Sequence, residues 1–120
     1  MISTATDLGG FLRSRRERLT PDAAGLPPGA TRRRVPGLRR EELADLAGVS
    51  LGYYTRLEQG VSASASDAVI DALASALRLD PARAHGALDE FRTLAADALR
   101  DNLRAKRIGE IIRAYGISAS

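Results

Sequence analysis

A guanidinium is planar, permanently charged and presents its donors as a fork, so it matches two phosphate oxygens or the O6 and N7 edge of a guanine. In this chain 17 of the 18 basic residues are Arg, and Lys106 is the exception. Nine Arg lie within residues 11–40 against only Glu17 and Asp22, a local balance of +7 in a chain of net charge +3. Arg32, Arg33 and Arg34 are consecutive, Arg39 and Arg40 follow closely, and Arg56 stands apart. Positive charge gathered in this way is the footprint of a protein that binds a polyanion. A solvated, Arg-rich surface is the plainer reading of the same run.

Other reactive chemistry is thin. Cys is absent, which removes disulfides, thiolate metal ligands and a thiol nucleophile. His85 is the only His, with no His or carboxylate at a matching spacing, and it reads as a surface helix residue. No metal cluster, nucleophile constellation or phosphate-cradling loop is present. We therefore expect no enzyme activity, no cofactor and no small-molecule ligand. No run of about 18 apolar residues exists to span a membrane. The N-terminus lacks the basic-then-apolar pattern of a signal peptide. A cytoplasmic protein, associated with the nucleoid, is the expectation.

The arginines must be positioned by helices. Aromatics are 4% and hydrophobic residues 44% of the chain, so the core is built from Leu, Ala, Ile and Val, which favours packed helices over a sheet. Thr6 or Asp7 can cap a first helix with Leu8, Phe11, Leu12 and Leu19 on its apolar face. Arg13, Arg15, Arg16 and Arg18 then form its wet side. The helix should stop near Thr20-Pro21. Residues 20–38 hold Gly25, Pro27, Pro28, Gly29, Pro36 and Gly37 and read as a long loop.

Residues 39–58 read RREELADLAGVSLGYYTRLE. One helix is expected from about Leu38 to Ala47 and a second from about Leu51 to Gln59, capped by Ser50 and ended by Gly60. Two helices joined by a short turn containing Gly form a helix-turn-helix, whose second helix can enter the DNA major groove. Ala44 is small where the helices must cross. Gly48 can take the left-handed conformation the turn needs. Val49 plugs the turn into the core. Tyr54 and Leu57 face inward, which leaves Ser50, Leu51, Gly52, Thr55, Arg56 and Gln59 outward.

A fourth helix begins after Ser66, with Val69, Ile70, Leu73, Ala74 and Leu77 on one face. Asp80-Pro81 is a start signal for another. From Ala82 the apolar pattern runs through Leu88, Phe91, Leu94 or Ala95, Ala98, Leu99 and Leu103. It resumes out of phase at Ile108, Ile111, Ile112 and Tyr115. That five-residue step predicts a kink or short break, with a last helix ending at Gly116. The domain expectation is a DNA-binding unit over 1–80 and a helical C-terminal extension over 81–120. The extension would serve either as a dimer seam or as intrachain packing against the first and fourth helices.

Residues 38–60, LRREELADLAGVSLGYYTRLEQG, resemble the Xre-type (λ-repressor-like) helix-turn-helix family. More narrowly, residues 8–60 resemble the N-terminal domain of MmyB-like actinobacterial regulators. The resemblance implies an all-α, five-helix fold, sequence-specific binding to double-stranded DNA and transcriptional control. Paired half-sites multiply affinity, so dimerisation is common in this fold, and the expectation is a homodimer acting as a repressor. It places Arg40 at the helix start that touches the DNA backbone, and Ser50, Leu51, Gly52, Thr55 and Arg56 on the reading face. Tyr53 would offer its hydroxyl to a phosphate. Arg39 joins Arg40, and Arg32, Arg33 and Arg34 would track phosphates or enter a minor groove. Leu51 and Gly52 stand where many members carry polar, base-reading side chains. That shifts specificity toward Thr55 and Arg56, with Leu51 against a thymine methyl. The larger ligand-binding domain of MmyB-like regulators is not carried over. The alternative is an antitoxin-like module that binds a protein partner through 82–120 and also binds DNA.

Overall fold

The computed structural model describes residues 7–27, 36–60, 65–80 and 86–114, and these are all-α. Five helices follow in order: α1 Leu8–Arg18, α2 Arg40–Ala47, α3 Leu51–Gln59, α4 Asp67–Ala76 and α5 Ala87–Ala114. Their ends follow local chemistry. The Asp7 carboxylate accepts the Gly10 N–H at 2.8 Å at the start of α1. Ser66 Oγ accepts the Val69 N–H at 3.2 Å at the start of α4. Glu42 reaches back to accept the Arg39 N–H at 2.7 Å, and with Glu41 it puts negative charge at the positive end of α2.

The helices pack α1 on α3 and α5, and α2 on α3 and α4, with α4 also on α5. Leu12, Leu38, Leu43, Tyr54, Leu57, Leu73, Leu79 and Phe91 are all but completely buried. Phe11 and Phe91 stack with centroids 5.4 Å apart and planes 7° apart, and Arg15 lies over the Phe11 ring at 6.0 Å. The packed core thus continues past residue 80 into α5.

The long loop is more ordered at its ends than its composition suggests. Residues 20–26 coil into hydrogen-bonded turns, with Leu26 N–H donating to Pro21 C=O at 2.9 Å and Ala24 buried. Arg78, at φ 60°, occupies the left-handed region where α4 ends, and its guanidinium donates to Ala24 C=O at 3.2 Å. At the far end, Leu38 N–H donates to Arg16 C=O at 3.1 Å while Arg16 Nη1 donates to Leu38 C=O at 2.9 Å. The chain therefore leaves α1 and returns to the same place.

Two expectations are corrected. Arg16 is not on the wet side of α1: it is 8% exposed and turned into the core. The break between Leu103 and Ile108 is absent, since α5 runs as one helix of 28 residues. Helical hydrogen bonding continues whatever face the apolar residues occupy. With no Pro or insertion in the segment, a shift in the phase of the stripe does not break the backbone ladder. The sequence expectations for residues 81–85 and 115–116 lie outside the described residues.

Candidate nucleic-acid interface

The turn between α2 and α3 is built as its residues require. Gly48 adopts φ 72° and its N–H caps α2, bonding Asp45 C=O at 3.1 Å. Val49 N–H donates to Ala44 C=O at 3.0 Å, and Val49 packs against the core. Ala44 is 1% exposed between the two helices. Ser50 Oγ then accepts the Tyr53 N–H at 3.1 Å and starts α3, and Gly60 at φ 75° ends it.

Helix α3 has two unlike faces. Tyr54, Leu57 and Glu58 are buried. Ser50, Leu51, Gly52, Arg56 and Gln59 are exposed, with Leu51 at 46%, and Thr55 and Tyr53 are half-buried beside them. A Cβ on Gly52 would lie 3.6 Å from Arg56 Nη1, so the Arg56 fork is close to the bare backbone of the first turn. Burial pushes the Tyr53 hydroxyl up from its usual range, against the opposing charge of Arg56.

Glu58 organises the inner side. Its Oε2 accepts from Arg16 Nε at 2.9 Å and from the Tyr54 hydroxyl at 2.6 Å. Its Oε1 accepts from Arg16 Nη2 at 2.9 Å and from Arg40 Nε at 3.0 Å, and Arg13 Nε lies 3.7 Å away. Burial alone would raise the Glu58 carboxyl, but hydrogen bonds from Arg16, Tyr54 and Arg40, with the charge of Arg16, hold it below the ordinary carboxylate range. The Tyr54 hydroxyl is pushed well up, first by burial and then by its bond to Glu58. Burial works against the Arg16 charge, yet Glu58 holds that guanidinium above its ordinary value.

Glu58 is the site residue that sequence reasoning missed. The signal was present: it lies four residues after Tyr54 and one after Leu57, on the inward face. It also holds Arg40, which lies 18 residues away in sequence.

Three arginines around one carboxylate leave positive charge in excess where α1 and α2 meet α3. The side chains of Arg13 and Arg40 are 55% and 38% exposed there, and Arg40 holds Glu58 by Nε, which leaves the Nη end of its fork outside that contact. Arg39, half-buried, precedes Arg40 as the cap residue of α2. This arrangement suits anionic oxygens. The structure brings Arg39, Arg40, Ser50, Leu51, Gly52, Tyr53, Thr55 and Arg56 onto two adjoining helices, while Arg32, Arg33 and Arg34 lie outside the described residues. Among the described residues no group of three His, Asp or Glu could hold a metal ion, and no helix is long and apolar enough to cross a membrane.

A family model described as a helix-turn-helix domain matches residues 7–86. The chain belongs to that family. The match takes in α1 to α4 and ends just before α5, so the helix-turn-helix domain here is followed by a helix that the family model does not describe. DNA is the partner of such a domain. No curated protein and no solved structure gives a match.

Proposed function

We propose that this protein is an Xre-type regulator that binds double-stranded DNA at specific sites, as a homodimer on a pseudo-palindrome, and represses transcription in the cytoplasm at the nucleoid. It acts by binding, without catalysis or a cofactor. The observation that carries the proposal is the division of α3. Tyr54, Leu57 and Glu58 anchor one face in the core, while Ser50, Leu51, Gly52 and Arg56 present the other to solvent. A helix held from behind in this way can lie in the major groove with its N-terminal half at the base edges.

Within that frame Arg56 reads a guanine through O6 and N7, Leu51 meets a thymine methyl and Thr55 adds a hydrogen bond. Gly52 lets the backbone of the first turn approach closely. Arg39 and Arg40 hold backbone phosphates at the start of α2, with Tyr53 beside them and Arg32, Arg33 and Arg34 supplying further charge. A bound dimer would block transcription by occupying its site. Selection of binding sites from random duplexes tests this. A recovered motif with two-fold symmetry supports the proposal, and recovery of unselected sequence contradicts it.

A further inference from the structure

Helix α5 is packed along its first half only. The side chains it adds to the core end at Ala98, and beyond it Leu99 and Leu103 are 38% and 55% exposed. A groove runs between α4 and α5, lined by Asp67, Ile70 and Asp71 on one wall and Ala95, Ala96 and Leu99 on the other. Residues three, four and seven apart share a helix face, so Leu103, Lys106, Arg107 and Glu110 continue the same side of α5 outward from this groove.

We infer that the occupant of the groove is the outer half of α5 from a second copy of the chain, the two helices antiparallel and crossing between Leu99 and Leu103. The charges set the orientation. Antiparallel pairing about that point brings Leu99 opposite Leu103 of the second copy, and it brings Arg92, whose Nη2 lies 3.5 Å from Asp71 of its own chain, opposite Glu110 of the second copy. Lys106 and Arg107 of the second copy then face the wall that carries Asp67. A parallel pairing would set Arg92 on Arg92 and Glu110 on Glu110. Ala95 and Ala96 are small, which leaves room on that wall of the groove for the longer side chains of Arg107 and Lys106 of the second copy. A two-fold axis makes each contact twice, so one groove and one helix face supply a closed interface. Ile108 is nine residues from Leu99, about two and a half turns, and so points to the opposite side. It is 50% exposed and takes no part in this seam.

This seam specifies the homodimer proposed above and rests on it, whereas contact of α3 with DNA does not depend on it. Sedimentation of the full chain tests it. The wild-type protein is expected at twice the 12.8 kDa chain mass. Leu103→Asp should weaken the dimer by about tenfold or more, and Ile108→Asp should leave it intact. Arg92→Glu and Glu110→Arg should each weaken it and together restore it, a readout that survives if Leu103→Asp fails to fold. Leu103→Asp should still bind a half-site duplex, which separates loss of the seam from loss of DNA binding. The inference is overturned if the wild-type chain stays at the single-chain mass and pairs only with a foreign protein. It is equally overturned if Ile108→Asp breaks the dimer while Leu103→Asp does not, or if the charge exchange fails to restore it.

Discussion

Arg16 and Glu58, 42 residues apart, meet inside the core through two parallel hydrogen bonds of 2.9 Å each. The pair ties α1 to α3, and Arg40 joins it from α2. A buried pair of this kind adds little over a well-packed apolar pair, but loss of one partner strands a desolvated charge and costs about 3–5 kcal/mol. Its value lies in fixing where α3 stands relative to the arginines beside it.

Glu58→Ala should therefore destabilise the fold by about 3–5 kcal/mol, and Tyr54→Phe by about 1.5–3 kcal/mol through loss of one bond to a charged acceptor. Denaturant unfolding with unchanged slope would read both. Equal, small losses would show that the pair is solvated rather than buried.

The same carboxylate predicts a pH dependence. The folded-state pKa of Glu58 is depressed, so its contribution is present above the unfolded value of about 4.3 and is lost as pH falls through the lower folded value. The thermal midpoint should fall on acidification below about pH 4, and Glu58→Gln should flatten that part of the curve. Parallel curves for the two proteins would remove Glu58 as the cause.

Gly9 and Gly52 should respond oppositely to Ala. A Cβ on Gly9 would meet Glu58 C=O at 2.2 Å, so Gly9→Ala must push α1 off α3, at about 1–3 kcal/mol or more. A Cβ on Gly52 meets only Arg56 Nη1 at 3.6 Å, so Gly52→Ala should stabilise α3 by up to about 1 kcal/mol. If Gly52 serves close approach to DNA, the stabler variant will bind its site more weakly. Titration calorimetry beside thermal melts checks the pair of effects.

Arg40→Ala should lower affinity alike for all sequences and flatten the salt dependence by about one unit of slope, as should each phosphate contact removed among Arg32, Arg33 and Arg34. Binding measured across a salt series decides this. An unchanged slope would return those residues to the solvated-surface reading.

The helix-turn-helix was legible because its signals are local. Ser50, Gly48 and Gly60 act on backbone within a few residues, and the end of α2 and both ends of α3 fall where those residues put them. What was not legible depends on distant partners. Arg16 reads as surface until Glu58 and Leu38 C=O arrive from elsewhere in the chain. The shift in the α5 stripe looks like a break, but it records a change of face on a continuous helix. The outward set on α3 was readable from Tyr54 and Leu57 alone, whereas the charge held behind it was not.

The central claim is that the exposed face of α3 reads base sequence. Equilibrium binding of wild-type and Arg56→Ala proteins to a selected duplex and to a scrambled one tests it most directly. The account predicts a loss of about 1–3 kcal/mol on the selected duplex and little change on the scrambled one, so that specificity relaxes. Equal weakening on both duplexes would contradict it and make Arg56 a phosphate contact.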